Sequence, residues 1–435
     1  MRWIFTLALA ALAAGAMAAT PNVVFIVSDD QAWTDYSFMG HAQIRTPNLD
    51  KLAKQSLVFR RGYVPSSLCC PSLASLLTGK YPHQTKITGN EPPAPEGKGM
   101  QARYRNPDFL KEVNRLNGFI TQHPRLPAEL GKAGYVSFQS GKWWAGSFRS
   151  GGFTEGMSHG DQAQGGRHGD DGLKIGRQGL QPIFDFLDRA GRKPFFLWYA
   201  PMLPHNPHTP PERLLAKYKN KTPSIHVARY WAMVEWFDET CGQLLEYLDK
   251  KGLAENTLVV YVTDNGWIQR EDNPAYRADS KQSPYDGGLR TPIMLRLPGK
   301  ISPGIEDTPV SSIDLAPTVY KLCSVPVPDG LPGVDLLNSQ AIKGRKAVFG
   351  SCFLHNAINI DKPGENLAWR WCVSGEWKLI IPHKNARDGV KIPGKAGVEL
   401  YRIASDPSEE KNLAGQEGAT VGRLKKLIDD WWPGS

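Results

Sequence analysis

Continuous runs of apolar residues alternate with amphipathic stretches along most of this chain. The apolar runs at residues 23–27, 194–199 and 258–262 are typical of strands that are buried on both faces. Between the last two runs, apolar residues recur at helical spacing over residues 230–250, and Gly252 follows as a stop signal. This alternation predicts an α/β fold with a large, mostly parallel central sheet that is covered by helices on both faces.

The pattern changes near residue 346. Short strand-like pieces at residues 347–349 and 377–381 precede a final amphipathic helix near residues 421–432. We therefore expect a main domain over residues 19–345 and a small C-terminal α+β subdomain over residues 346–435.

The first residues have the composition of an export signal. Arg2 precedes a run rich in Leu and Ala, and Ala16-Met17-Ala18 has the form of a cleavage site. Residues 1–18 are therefore predicted to be a secretory signal peptide, and the mature protein to be periplasmic or extracellular. No later segment is apolar enough to span a bilayer, so we do not expect a membrane-spanning protein.

Charge adds information about partners. The formal net charge is +9, and such an excess of Lys and Arg favours a polyanionic partner. No nucleic-acid-binding motif accompanies this charge, so nucleic acid is not expected. For a secreted protein, a sulfated polysaccharide is the better candidate.

The cysteines do not predict a disulfide framework. Six cysteines in 435 residues are too few for a disulfide-based scaffold. Cys352 and Cys372 flank a loop and could pair, but the sequence leaves this open. Cys241 lies on an apolar helix face and is expected to be a core thiol.

Acidic and amide side chains follow two of the apolar runs. Asp29 and Asp30 come after residues 23–27, and Asp264 and Asn265 come after residues 258–262. Ligands of parallel sheets gather beyond the carboxyl ends of the strands. Oxygen ligands suit Ca²⁺ or Mg²⁺ better than zinc. The alternative role of these residues is ordinary turn formation or helix capping.

A thiol pair stands at a predicted helix start. Cys69 and Cys70 precede Pro71, which suits a first turn, and Gly79 suits a left-handed helix end. The N–H groups and dipole at such an end favour an anion, so we expect an easily ionised thiol and a site that can hold an oxyanion. The alternative is a half-buried helix with inert cysteines.

Taken together, five segments resemble, in order, the motifs of the formylglycine-dependent sulfatases, the type I sulfatases of the alkaline phosphatase superfamily. The central resemblance is to the family signature C-x-P-S-R, followed by L-T-G. The five segments are Asn22 to Gln31, Cys69 to Gly79, Thr263 to Gly266, Lys281 with Asp286 to Pro292, and Glu399 to Leu413.

This resemblance implies an alkaline-phosphatase-like fold, with residues 19–345 as the sulfatase catalytic domain. It also implies that a maturation enzyme oxidises Cys69 to formylglycine, whose hydrate attacks sulfur. One Ca²⁺ ion would be held by five residues: Asp29, Asp30, Asp264, Asn265 and the modified Cys69.

Three further residues receive roles from the same resemblance. Lys142 matches the lysine that binds the nucleophile and the sulfate, and Lys281 matches the lysine that bridges the sulfate and the leaving oxygen. His205 matches the histidine near the leaving group, where an imidazole can protonate the departing alkoxide. His208 is the weaker histidine candidate.

Two positions depart from the family pattern. Leu73 stands where the family usually has arginine, and Trp144 stands where it commonly has histidine. The loop at residues 165–171 contains both missing side-chain types. We therefore hypothesise that His168 takes a proton during sulfate release and that Arg167 supplies the lost positive charge and binds substrate. The alternative is a surface loop.

The sequence therefore predicts a secreted, calcium-dependent sulfatase that acts on a sulfated carbohydrate. One alternative is a phosphodiester or phosphonate hydrolase of the same superfamily. The other is a sulfated-glycan-binding protein that has lost turnover, an alternative motivated by Leu73 and Trp144.

Overall fold

The computed structural model describes residues 20–434, except for residues 96–98, 162–163, 165, 167–169 and 387–396. The predicted signal peptide and the pair Arg167 and His168 lie outside the described residues. The strands are β1 (Asn22–Ser28), β2 (Leu57–Tyr63), β3 (Val136–Gly141), β4 (Glu155–Gly156), β5 (Phe195–Ala200), β6 (Thr257–Thr263), β7 (Arg290–Arg296), β8 (Gly304–Glu306), β9 (Val310–Ser311), β10 (Val348–Phe353), β11 (Leu367–Ser374), β12 (Trp377–Pro382) and β13 (Glu399–Arg402).

Helices connect and cover these strands. They are α1 (Pro47–Lys54), α2 (Cys69–Thr78), α3 (Pro82–Thr85), α4 (Met100–Arg103), α5 (Pro107–Gly118), α6 (Leu126–Lys132), α7 (Gln181–Ala190), α8 (Glu212–Tyr218), α9 (Ile225–Lys250), α10 (Asp286–Leu289), α11 (Leu315–Leu322), α12 (Ser339–Gly344) and α13 (Gly418–Trp431). Within the described part of the chain, no helix is both long enough and apolar enough to cross a membrane.

The central sheet has the strand order β4-β3-β5-β1-β6-β7-β2-β8, and β9 pairs with β2. Neighbouring strands are parallel except where β7 pairs with β6 and β2. The carboxyl ends of β1, β2, β3, β5 and β6 therefore meet at one edge of the sheet, where β7 begins. The predicted mostly parallel sheet is confirmed.

Both faces of this sheet are buried. Along β1, Val23, Phe25 and Val27 belong to one hydrophobic core, and Val24 and Ile26 belong to another. Helices α2, α5, α6 and α11 contribute to the first core, whereas α1, α7 and α9 contribute to the second. Cys241 of α9 is fully buried in the second core, which confirms the prediction of a core thiol. A strand with helices on both sides has no polar face, which explains the continuous apolar runs.

The C-terminal part forms a second, antiparallel sheet of β10 to β13, with α13 against one face. The other face packs against residues of β2 and α10. Cys352 contributes to the core between this sheet and β2 and α10, whereas Cys372 contributes to the core beneath α13. The two thiols therefore face opposite sides of the sheet, and both are free. The disulfide that the sequence left open is not formed.

A buried ion cluster joins the two parts of the molecule. Lys378 of β12 has no exposed side-chain surface, and its Nζ lies 2.7 Å from Asp286 Oδ1 and 2.8 Å from Glu409 Oε1. The backbone N–H of Asp286 donates to Glu409 Oε2 at 2.6 Å. A buried charge requires such partners. The cluster anchors the C-terminal sheet to α10, which begins five residues after Lys281.

Candidate active site

The end of β1 and the end of β6 bring four oxygen-bearing residues together. Ser28 pairs with Thr263 in parallel register, so the next residues of both strands leave the sheet side by side. The backbone N–H of Asp30 donates to Asp264 Oδ1 at 3.1 Å, and Asn265 Nδ2 donates to Asp30 Oδ1 at 2.6 Å. Asp30 has a positive φ of 64°, which turns the chain sharply at this point. All four residues, Asp29 included, are buried.

Cys69 is the first residue of α2, as the sequence predicts, and Gly79 ends the helix with a φ of 70°. The expectation of an easily ionised thiol is wrong, however. Burial raises the pKa of Cys69 to about 11, although the nearby ammonium groups of Lys142 and Lys281 act in the opposite direction. The free-energy cost of removing a thiolate from water is larger here than the stabilisation of the thiolate by the helix end and the two lysines.

Lys142 follows β3 and reaches across to β1. Its Nζ lies 2.7 Å from Asp29 Oδ1, 3.0 Å from Cys69 Sγ and 3.6 Å from Asp264 Oδ2. Burial by itself would lower the pKa of this lysine, but Asp29, Cys69, Asp264 and Asp30 together outweigh burial and hold the pKa well above its ordinary value. The preceding residue must be glycine, because a Cβ at Gly141 would lie 1.9 Å from the carbonyl oxygen of Ala200.

Lys281 and His205 approach the other side of Asp30. Lys281 Nζ donates to both carboxylate oxygens at 2.7 Å, and His205 Nε2 lies 3.3 Å from Asp30 Oδ2. His205 Nδ1 lies 2.5 Å from the carbonyl oxygen of Asn206. Because a carbonyl oxygen can only accept a hydrogen bond, Nδ1 is the donor in this contact. The contact fixes the ring so that Nε2 points toward the acidic residues.

The electrostatics of this cluster follow from burial and neighbouring charge. Burial by itself would raise the pKa of Asp30, but Lys281, His205 and Lys142 together hold it well below its usual range. Burial and the adjacent Asp29 raise the pKa of Asp264 well above its usual range. Burial lowers the pKa of His205. Close carboxylates of this kind favour either a proton or a cation between them.

The donor set fits a hard divalent cation. Asp29 Oδ2, Asp264 Oδ2 and Asn265 Oδ1 are buried and have no hydrogen-bond partner among the described residues. Buried oxygens without donors are costly, and a cation that prefers oxygen ligands would satisfy them. Ligand atoms of Asp29, Cys69 and Asp264 lie within 4.8 Å of one another, as do those of Asp29, Asp30 and His205.

The two departures from the family pattern are both buried. Leu73 and Trp144 belong to the first hydrophobic core and are 1% and 7% exposed. Trp144 packs against Trp143 with ring centroids 4.8 Å apart. Neither side chain supplies a charge or a basic nitrogen to the site. The proposed substitutes, Arg167 and His168, lie outside the described residues.

Two contacts at the site were not predicted from the sequence. The backbone N–H of Cys70 donates to Asn90 Oδ1 at 3.0 Å, which satisfies one free donor at the start of α2. Lys281 Nζ lies over the ring of Trp267, 5.7 Å from its centroid. Asn90 is twenty residues beyond Cys70, so no local pattern links the two residues. Trp267 directly follows Gly266, and its position next to the Thr263 to Gly266 motif is the one available signal.

Comparison with known proteins gives consistent matches. The sulfatase family model matches residues 21–325, and a model of the C-terminal region of N-sulphoglucosamine sulphohydrolase matches residues 276–430. Human arylsulfatase A is 30% identical, with 96% of this chain and 89% of the relative covered. Human N-acetylgalactosamine-6-sulfatase is 28% identical, with 91% and 81% covered. The crystal structure of Ps i-CgsB superposes with a TM-score of 0.72 at 23% identity and covers 96% of this chain and 94% of its own.

Proposed function

This chain belongs to the sulfatase family of sulfuric ester hydrolases, and we propose that its substrate is a sulfated carbohydrate. The observation that carries the proposal is the assembly of Cys69, Lys142, Lys281, His205 and the oxygen ligands at one edge of the sheet. Two observations support a sulfated sugar as the substrate. One is the similarity to human N-acetylgalactosamine-6-sulfatase, and the other is the net charge of +9.

The charges of the site suit a monoanion. The carboxylates of Asp29, Asp30 and Asp264 face the two ammonium groups of Lys142 and Lys281, which leaves one formal negative charge when all five groups are ionised. A divalent cation reverses this to one positive charge. A sulfate monoester, which carries one negative charge, then neutralises the site. A phosphodiester has the same charge, so the assay must compare both.

We propose that calcium is held by Asp29, Asp30, Asp264 and Asn265, together with Cys69 after its oxidation to formylglycine. When bound, the cation supplies Lewis-acid stabilisation of charge on the sulfuryl group. The three unpartnered oxygens support this ligand set. A hard cation matches a site of carboxylate and amide oxygens.

The remaining side chains have separate tasks in this proposal. Lys142 contacts Cys69 Sγ directly and therefore holds the nucleophilic side chain, and by resemblance to the family it would also bind the sulfate. Lys281, as a compact charge, binds a sulfate oxygen next to the leaving oxygen. In its doubly protonated form, which the carboxylate of Asp30 3.3 Å from Nε2 favours, His205 donates the Nε2 proton to the departing alkoxide and becomes neutral, while its Nδ1–H stays on the Asn206 carbonyl group.

We further propose that residues 1–18 direct export to the periplasm or the cell exterior and are then removed. Residues 19–345 would form the catalytic domain and residues 346–435 the C-terminal subdomain. A formylglycine-generating enzyme is the partner that maturation requires.

One experiment tests the proposed function directly. Protein made together with a maturation enzyme is digested with trypsin, and the peptide over residues 62–80 is analysed by mass spectrometry. The same sample is assayed for release of sulfate from aryl and sugar sulfates and for hydrolysis of a phosphodiester and a phosphonate ester. We expect formylglycine at Cys69 and preferred sulfate ester hydrolysis. Active protein with an unmodified Cys69 would refute the nucleophile, and preferred phosphodiester or phosphonate hydrolysis would refute the sulfatase assignment.

A further inference from the structure

A second cavity lies beside the candidate active site. Its volume is about 460 Å³, and it lies between the segment at residues 206–209, the first turns of α9 and Pro274. This size is within the range of small-molecule sites. Helix α9 leads into β6, so its first turns lie at the same edge of the sheet as the carboxyl ends of the parallel strands. We call this cavity the His208 pocket.

The His208 pocket shares a wall with the leaving-group side of the active site. Asn206 lines the pocket, and its carbonyl group accepts the hydrogen bond from His205 Nδ1. The ring of His208 packs edge-on against Trp267, with centroids 5.7 Å apart. Lys281 Nζ lies over the same Trp267 ring. A sugar that places its sulfate near Lys281 and His205 would therefore extend toward this pocket.

The lining of the His208 pocket is suited to an anion on a sugar. Arg229 is exposed and makes no hydrogen bond or ion pair with a described residue. Other arginines nearby are already engaged: Arg177 donates to the carbonyl groups of Met202 and His205, and Arg213 pairs with Glu239. A free guanidinium group matches the planar fork of a carboxylate or the oxygens of a sulfate.

Histidine and proline complete the lining. His208 and His226 add two nitrogen-bearing rings to the lining. Pro207 and Pro274 supply apolar surface against which a pyranose ring could pack. The described residues that line the pocket include no carboxylate, so no like charge would repel an anion there.

We propose that the His208 pocket binds a second anionic group of the substrate, either a sulfate or a uronate carboxylate, and that Arg229 is its main ligand. The proposal rests on the proposed sulfatase function and adds to it a preference for doubly anionic sugars. Arg229 would then determine specificity without contacting the sulfate that is cleaved.

The test uses three defined disaccharides that share one cleavable sulfate and differ at the neighbouring sugar, which carries a second sulfate, a carboxylate or a hydroxyl. We expect kcat/KM to be about tenfold higher for at least one doubly anionic sugar than for the hydroxyl sugar, because a charge-assisted hydrogen bond is gained. Arg229→Ala should reduce this ratio about tenfold, mainly through KM, and Arg229→Lys should keep part of it. The better of the two anionic sugars identifies the group that is bound.

Arg192→Ala is the matched control. Arg192 is an exposed arginine that precedes β5 and therefore lies at the opposite edge of the sheet. This control should keep the wild-type ratio and the wild-type rate with an aryl sulfate.

Two results would overturn the proposal: equal kcat/KM for the three sugars in the wild type, or an unchanged ratio in Arg229→Ala. Failure of the sulfatase function has a different signature, since the wild type would then release no sulfate from any sugar or from the aryl sulfate. In that case, the binding of the doubly sulfated and the carboxylated disaccharides to the wild type and to both variants is measured by calorimetry, and this binding tests the pocket. Loss of binding in Arg229→Ala alone supports the pocket, and equal binding in all proteins refutes it.

Discussion

Replacement of Asp264 should remove calcium binding without unfolding the protein. Asp264 is buried, and its Oδ1 accepts hydrogen bonds from the backbone N–H groups of Asp30 and Asn265. Its Oδ2 has no hydrogen-bond partner among the described residues. Asp264→Asn keeps the acceptor Oδ1 and removes the charge, whereas Asp264→Ala removes both. We expect both variants to fold and to lose most calcium and most activity.

The size of the effect can be worked out as a thermal shift. Calcium at a hundred times its Kd stabilises the folded state by about 2.7 kcal/mol. For 435 residues, an unfolding entropy of about 2.1 cal/mol/K per residue converts this free energy to a rise in Tm of about 3 °C. Loss of an outer-shell partner already weakens metal binding by about 10–100-fold, so we take about 100-fold for a direct ligand. The same calcium concentration then contributes only about 0.4 kcal/mol, and the shift falls below about 1 °C.

The assay is thermal unfolding in excess chelator and in excess calcium, with bound calcium measured by elemental analysis. Each variant serves as its own baseline, so any change in the metal-free protein cancels. Asp185→Ala, at an exposed carboxylate of α7, is the control and should keep the wild-type shift. A wild-type calcium content and thermal shift in Asp264→Asn would refute the ligand assignment.

Three further predictions concern other parts of the molecule. Cys69→Ala should abolish sulfate release, whereas Cys70→Ala should retain it, because Cys69 Sγ contacts Lys142. Equal losses of sulfate release in the two variants would contradict the assignment of Cys69. Lys378→Met should lower the free energy of unfolding by about 3–5 kcal/mol in chemical denaturation, because two buried carboxylates lose the ammonium group of Lys378. The exposed Lys411→Met is the control, and an equally small change in both variants would show that the cluster is not stabilising. Burial lowers the pKa of His83 to about 4 from 6.5. Between pH 6.5 and 4 the unfolded chain therefore binds a proton that the folded protein does not, and up to about 3 kcal/mol of stability is lost as the pH falls through this range. His83→Phe should remove this part of the pH dependence of the free energy of unfolding. An unchanged dependence on pH in the variant would refute the role of His83.

The general location of the site could be predicted because it depends on topology. A buried run followed by Asp29 and Asp30, and another followed by Asp264 and Asn265, place polar residues at strand ends. Once the strands are parallel neighbours, those ends must meet. The same reasoning applies to Lys142 after β3, two strands away from β1.

Features that depend on burial could not be predicted in the same way. The position of Cys69 at a helix start suggests an easily ionised thiol, but the depth of the site decides its pKa. Whether Cys352 and Cys372 form a disulfide depends on the face of the sheet on which each side chain lies, and the loop between them does not determine that face. The His208 pocket combines residues 206–209 with Arg229 and Pro274, which no local pattern connects.

The hypothesis that His168 and Arg167 replace the missing side chains stays a prediction. If His168 takes the proton during sulfate release, His168→Ala should slow sulfate release more than alcohol release. A covalent sulfated intermediate would then accumulate in a rapid-quench experiment. Wild-type rates without a trapped intermediate would place the base elsewhere.

The two departures at Leu73 and Trp144 have the same physical setting. Both side chains belong to the same hydrophobic core, which also contains Leu76 and Leu77 of α2. Restoring arginine at residue 73 alone would bury a charge in an apolar core, where an unpaired ion costs several kcal/mol. Both side chains therefore suit the apolar core in which they are buried. A positive charge for the nucleophilic side chain must therefore come from outside this core. Lys142, whose Nζ lies 3.0 Å from Cys69 Sγ, supplies one such charge, and the hypothesis for Arg167 would add a second.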